Sequence, residues 1–353
     1  MTRTAYLHMG ANKTGSSAIQ TWIPGNAALL QSAGIAVPLD FLGSTGNAPH
    51  LAAALCLPPA ELPDDISGIL RGFAGWLRQQ DAKPGSDLLI SAERFSVHAA
   101  QNRMRRCGAF LHRRGYQPCA IFYVRNQIDR INSSIAQRLK RLRTRIDLSD
   151  PMASIIPERD DWALCLSRIE AAGFTLRAGV YPPQGQTPLP AQFMALAGLL
   201  DRLPDDTDFN VTQANPSLGG LGMLLAHGVA GLTAQLTEPQ RHGLSLALLD
   251  AFTGLQDAPY NGFTPDEMDQ IEQQFAASNA QMTRWLDTDE MTALSVSKSR
   301  NRATSPRRIV DMTDAQAQVM ATALNRLCDT VENDPLLSQA LRPDAIRALL
   351  ADN

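Results

Sequence analysis

The stretch "YLHMGANKTGSSAIQ", Tyr6 to Gln20, decides how the rest of the chain is read. It passes from a short apolar strand pattern, through a glycine-bounded loop carrying one lysine, into a hydroxyl-rich helix start. Backbone N–H groups at a helix N-terminus converge on one point, glycines let a ligand approach the main chain, and a lysine adds a full positive charge. A loop of this kind grips an anion. The question is whether that anion belongs to a nucleoside triphosphate, a dinucleotide or another molecule.

Outward from the loop, strand-like runs occur at Thr4 to Met9, Asp87 to Ser91, Cys119 to Arg125 and Phe174 to Tyr181. Helical patterns separate them: Ser16 to Ile23, Asn26 to Ala33 closed by Gly34, Asp64 to Gln80, Val97 to Arg114 closed by Gly115, and Ile128 to Arg145. Short apolar strands alternating with helices predict a parallel sheet covered on both faces. Beyond Tyr181 the strand signal fades and helical patterns dominate. Ser217 to Leu236, "SLGGLGMLLAHGVAGLTAQL", is nearly long enough to span a bilayer, but its five glycines, His227 and Gln235 favour a buried helix. Ser295 to Arg308, "SVSKSRNRATSPRR", is polar and basic and reads as an exposed linker before a last helical piece.

With 353 residues, 44% of them hydrophobic, the chain can bury a large core. A formal net charge of -3 argues against bulk nucleic-acid affinity. Cys56, Cys107, Cys119, Cys165 and Cys328 form no CxxC pair and have no histidine at metal-ligand spacing, so neither a disulfide framework nor a metal site is expected. Reduced thiols suit a cytoplasmic protein. The N-terminus reaches Gly10 before a signal-peptide apolar region could develop.

A triphosphate loop of the Walker type needs G-x-x-x-x-G-K-[ST]. Here Lys13 stands three residues after Gly10 and precedes Gly15, so the register fails. The runs "DLLIS" and "CAIFYVR" also end without the aspartate that would hold magnesium in such an enzyme. The dinucleotide fingerprint G-x-G-x-x-G is absent from the loop.

"GANKTGSSAIQ" resembles instead the 5'-phosphosulfate loop of sulfotransferases that use 3'-phosphoadenosine 5'-phosphosulfate: a lysine, a Ser or Thr, a glycine, then two hydroxyl residues opening a helix. "YVRNQIDRINSS" resembles the 3'-phosphate element of the same family, with an arginine at a strand end and a serine eight residues later in the next helix. Arg125 and Ser133 hold those positions, and Asn126 and Asp129 fit the pattern. Weaker similarity to bacterial members runs through "LLISAERF", "FNVTQANPSLGGLG" and "GFTPDEMDQIEQQFAASNAQM", so the resemblance covers about Thr4 to Leu286.

The resemblance implies a P-loop NTPase-like sulfotransferase fold, α/β with a parallel β-sheet flanked by helices and a helical C-terminal part. The catalytic domain would span 1–290, followed at 291–353 by a basic linker and a helical extension. The implied reaction moves a sulfuryl group from the nucleotide donor to a hydroxyl acceptor, of carbohydrate or glycolipid type, with no metal. Gly10, Asn12, Lys13, Thr14, Gly15, Ser16 and Ser17 would hold the 5'-phosphosulfate, and Arg125 and Ser133 the 3'-phosphate. The chemistry agrees: charge builds on the bridging oxygen as its bond to sulfur breaks, and a fixed donor such as Lys13 aimed there stabilises it. Two departures stand out. The Arg-Lys-Gly element of many eukaryotic cytosolic members has no clear counterpart, and of the adenine-stacking candidates Trp22, Trp76 and Tyr181, each also suits the core.

The acceptor hydroxyl must lose a proton, so a base must stand within reach of it. His50, in "GNAPHLAAAL", resembles a histidine of bacterial relatives, and Glu93, in "LLISAERF", stands just past a strand's carboxyl end. Both remain candidates, whereas His8, inside the first strand, suits a buried structural role better. The run "RLKRLRTR", Arg138 to Arg145, reads first as a solvated helix face and second as a draw for an acidic glycan or the nucleotide. Rival readings are a P-loop nucleotide kinase or phosphotransferase, disfavoured by the lysine register, and a non-catalytic protein that binds the nucleotide or a partner.

Overall fold

In the computed structural model the described residues are 3–11, 13–81, 86–142, 146–181, 187–211 and 217–349. The chain divides into two compact units: Met1–Asn126, Ile156–Gln213 and Gln274–Val296 form the first, and Gln127–Ile155, Ala214–Gln273 and Ser297–Asn353 form the second.

The first unit is built on five parallel strands, β1 (Arg3–His8), β2 (Ile35–Ala36), β3 (Asp87–Ser91), β4 (Tyr116–Val124) and β5 (Thr175–Val180). Their order in the sheet is β2-β3-β1-β4-β5. Apolar residues on both sides of each strand explain why the sheet is covered twice. Leu7, Leu88, Ile90, Phe122 and Val124 face one layer with Phe73, Phe95, Leu111, Trp162 and Leu166. Tyr6, Leu89, Ile121 and Tyr123 face the other, with Ile19, Trp22, Ile23 and Phe193. Burying one such large side chain contributes about 2–3 kcal/mol, so these two layers dominate the stability of the unit.

The four strands expected from sequence are present, and β2 is an addition: two residues are too few to show a period. Two expected helices are broken. Asp64–Ser67 and Ile69–Asp81 are separated at Gly68, and Arg94–Ala100 and Arg105–Arg113 are separated by a turn in which Asn102 has φ 57°. The left-handed backbone at Asn102 cannot continue a helix.

In the second unit the helix Gln127–Lys140 packs on Gly220–Ala230, and Asp314–Asn333 packs on Glu238–Ala251. The glycine-rich stretch forms the helix Gly220–Ala230, with Leu221, Met223, Leu224, Leu225, Ala226 and Val229 buried. Among the described residues no helix is long and apolar enough to cross a membrane. The stretch expected as an exposed linker differs from that reading. Asp129, itself buried, accepts from Ser297 Oγ at 3.0 Å, Lys298 N at 2.9 Å, and Ser299 N and Oγ at 2.9 and 2.7 Å. Asn261 then receives Ser305 N at 2.8 Å and donates to Arg302 O at 3.0 Å. These bonds make residues 297–305 a strap held by buried polar partners.

Candidate functional site

From β1 the chain passes to β2 and β3 on one side of β1, and only afterwards crosses to β4 and β5 on the other. The connections leaving β1 and β4 therefore run in opposite directions. In open parallel sheets the crevice outside the carboxyl ends at such a switch point is where ligands bind. The loop after β1 and Arg125 after β4 stand at that crevice.

The loop is shaped by local hydrogen bonds. Met9 N donates to Ile121 O at 2.9 Å, Thr14 N and Oγ1 donate to Ala11 O at 3.2 and 2.6 Å, and Ala18 N donates to Gly15 O at 3.0 Å. Lys13 has φ 76° and Gly15 φ 75°. A left-handed lysine costs roughly 1–2 kcal/mol, and strain of that kind collects at ligand-binding positions. Gly15 needs both its backbone freedom and its small size, because an added Cβ would overlap Leu189 Cδ2 and stand 2.5 Å from Tyr181 Cε2.

Arg125 ties the second motif to the first. Its Nη1 donates to Lys13 O at 2.8 Å, and its Cζ stands 5.6 Å from the Tyr181 ring centroid. Trp162 Nε1 donates to Arg125 O at 2.9 Å, and Tyr181 N to Val124 O at 2.7 Å. Residues 112 positions apart are thus locked together at the switch point.

Beneath the loop, polar side-chain atoms gather around Gly10. An added Cβ on Gly10 would overlap Ser16 Oγ and lie 2.9 Å from His8 Nε2 and 3.1 Å from Thr14 Oγ1. Ser16 Oγ, His8 Nε2 and Gln20 Nε2 are buried and make no hydrogen bond among the described residues. His8 is fully buried, and burial pushes its pKa down to about 3, so the ring is neutral at pH 7. Its Nδ1 meets Ser91 Oγ at 2.7 Å. When Ser91 donates to Nδ1, the neutral ring carries its proton on Nε2, which then adds a donor below Gly10. An orphaned buried donor forfeits about 1–3 kcal/mol, so this cluster suits an acceptor from outside the chain.

The remaining expected residues are distributed as follows. Thr14 is buried, Lys13 is half-buried and Ser17 is exposed, while Asn12 lies outside the described residues. His50 is exposed at the start of the helix Pro49–Cys56. Ala48 N, just before it, donates to Ser91 O, the last carbonyl of β3. Glu93, half-buried, follows Ala92, whose N–H donates to His8 O at 3.1 Å. Both base candidates therefore sit at the carboxyl edge of the sheet beside the end of β3. Ser133, half-buried on the helix Gln127–Lys140, belongs to the second unit, whereas Arg125 belongs to the first. Arg143 and Arg145 of the basic run lie outside the described residues.

Of the three aromatic candidates, Trp22 is core: it stacks on Phe209 at 5.1 Å and its Nε1 donates to Asp208 O. Trp76 stacks on Phe73 at 5.9 Å. Tyr181 is the one beside the loop. Sequence reasoning passed over Trp162, which fixes the Arg125 carbonyl, and Ser91, which pairs with His8 Nδ1. No local signal marks either residue, because each acts across the sheet. No family model, curated protein or solved structure matches the chain.

Proposed function

We propose that the chain is a sulfotransferase that moves a sulfuryl group from 3'-phosphoadenosine 5'-phosphosulfate to a hydroxyl acceptor of carbohydrate or glycolipid type. The observation that carries the reading is the bond from Arg125 Nη1 to Lys13 O at the switch point. It brings the Arg125 guanidinium to the lysine loop, which supports the binding there of a ligand with more than one negative group. The unpartnered donors of His8 and Ser16 under Gly10 support an anion over the loop.

In this reading the acceptor oxygen attacks sulfur while the bond from sulfur to the bridging phosphate oxygen breaks. The electron pair stays on the 5'-phosphate of the leaving 3',5'-adenosine bisphosphate. Lys13 donates to that oxygen as its charge grows, and the hydroxyls and N–H groups of Thr14, Ser16 and Ser17 hold the phosphate. Arg125, with five guanidinium donors, can keep the Lys13 carbonyl and still meet a phosphate. Ser133 is assigned to the 3'-phosphate by the resemblance alone. His50 or Glu93 takes the acceptor proton, and the loss of turnover in only one of His50→Ala and Glu93→Gln identifies which.

Isothermal titration tests the donor assignment. Micromolar binding of 3',5'-adenosine bisphosphate with no binding of ATP supports it, and magnesium-dependent ATP binding without the bisphosphate overturns it. Cell extracts incubated with the protein and labelled donor should then yield a new sulfated species by mass spectrometry.

A further inference from the structure

A cleft of about 400 Å³ opens in the first unit at the β5 edge of the sheet. Its walls are the helices Leu189–Leu196 and Thr288–Ser295, and Tyr123, Gly179, Val180 and Gln192 form much of its lining. Gly179 opens the way into it. An added Cβ there would press on Tyr123 Cε1 at 3.2 Å and on Leu196 Cδ2 at 3.0 Å, so the missing side chain lets the Tyr123 ring extend toward the cleft.

Two independent features point to a ligand. The Tyr123 side chain lines the cleft, is 2% exposed, and its hydroxyl has no hydrogen-bond partner among the described residues. Buried tyrosine hydroxyls normally have a partner, and leaving one without costs about 1–3 kcal/mol. The second feature is charge. Asp287, Asp289 and Glu290 contribute to the lining, and no Lys, Arg or His among the described residues does. Arg177 donates to the nearby Leu196 carbonyl but contributes no lining atom.

The carboxylates are held in place. Asp287 Oδ1 accepts from Glu290 N at 2.9 Å, and Glu290 Oε2 accepts from Asp287 N at 3.1 Å, a reciprocal cap on the helix Thr288–Ser295. A carboxylate offers about four lone-pair directions, so one capping bond leaves acceptor capacity for a guest. Burial, reinforced by the charge of Asp287, pushes the Glu290 carboxyl above its usual range, and a cation beside it would reverse that. No group of three acidic or other ligating side chains among the described residues is arranged to hold a metal ion. The complementary guest is therefore an organic cation.

We propose that this cleft binds a small molecule through a guanidinium or ammonium group, with Glu290 as the charge partner and the Tyr123 hydroxyl as the second hydrogen-bonding contact. A guanidinium can pair with a carboxylate through two parallel bonds, and a volume near 400 Å³ matches the lower range of small-molecule sites. The site is independent of the sulfotransferase reading.

The test uses butylguanidinium and its neutral isostere butylurea, titrated into the full chain at physiological salt and followed by NMR amide shifts. Saturable shifts at Gly179, Val180, Glu290 and Ala293 are expected with butylguanidinium, and butylurea should bind at least about tenfold more weakly. Glu290→Gln keeps an oxygen for the helix cap yet should weaken butylguanidinium at least about tenfold. Tyr123→Phe should weaken it about three- to tenfold. Equal binding of the two probes, unchanged affinity in both variants, or shifts that never saturate would each overturn the proposal.

Discussion

The stretch Met9–Ser17 and the strap at residues 297–305 are made of similar material: serine, threonine, a lysine and main-chain N–H groups. In the strap these donors converge on an anion the chain supplies itself. The Asp129 carboxylate takes four of them, from Ser297, Lys298 and Ser299. Around the loop, Ser16 Oγ and His8 Nε2 converge beneath Gly10 and have no hydrogen-bond partner among the described residues. One stretch is therefore closed and structural. The other is, in the proposed reading, the site that receives an anion. Residue type does not distinguish them, because the distinction lies in whether a carboxylate has been folded into the middle.

Removing the resident anion should give the largest effect. Asp129→Ala leaves buried donors without a partner, and we expect a loss of about 3 kcal/mol or more in urea unfolding, with new proteolytic cleavage at Arg300 or Arg302. If the variant is as stable as wild type, the strap is not held as described and the contrast collapses.

On the loop side, Lys13→Ala should lower kcat roughly 100-fold, about 2.7 kcal/mol, while the fold is kept. A rise in donor KM with unchanged kcat would reduce Lys13 to a ground-state anchor. Arg125→Ala should weaken 3',5'-adenosine bisphosphate by about 2 kcal/mol and adenosine 5'-phosphosulfate much less, measured by calorimetry. Equal losses for both ligands would make Arg125 a purely structural tie to the Lys13 carbonyl.

The comparison also predicts a pH dependence. Burial without a carboxylate partner lowers the His8 pKa to about 3, whereas in the unfolded chain it returns to its ordinary 6.5. The unfolded state therefore takes up the proton first. Stability is complete above pH 6.5 and is lost as pH falls from there toward 3, by about 2 kcal/mol at pH 5 from this residue. His98, lowered to about 4 by burial and then by Arg94 and Arg103, acts in the same direction. Urea midpoints at pH 7 and pH 5 check this, and His8→Asn should flatten the difference. A slope unchanged in that variant would mean His8 is charged or solvated in the native state.

The smallest effect tests the strain. Lys13→Gly relieves a left-handed side chain and should raise stability by about 1 kcal/mol in thermal unfolding while lowering turnover. A destabilised Lys13→Gly would show that the lysine side chain also packs the loop.

The sequence alone determined the α/β class, four of the strands and the glycine-bounded loop after the first of them. Each of those is a local property: apolar runs, a change of period and glycine punctuation are visible within a dozen residues. It could not reveal β2, whose two residues show no period, or the breaks at Gly68 and Asn102. It also could not tell the strap from a solvated linker, since the carboxylate that organises it is 168 residues away. Tertiary structure alone decided which polar groups are satisfied. The strand order brought Arg125 to the Lys13 carbonyl and put Ser91 beside His8, and burial then made every unmet donor costly. Hydrogen-bond satisfaction depends on neighbours in space, and a linear pattern of residue types holds no record of them.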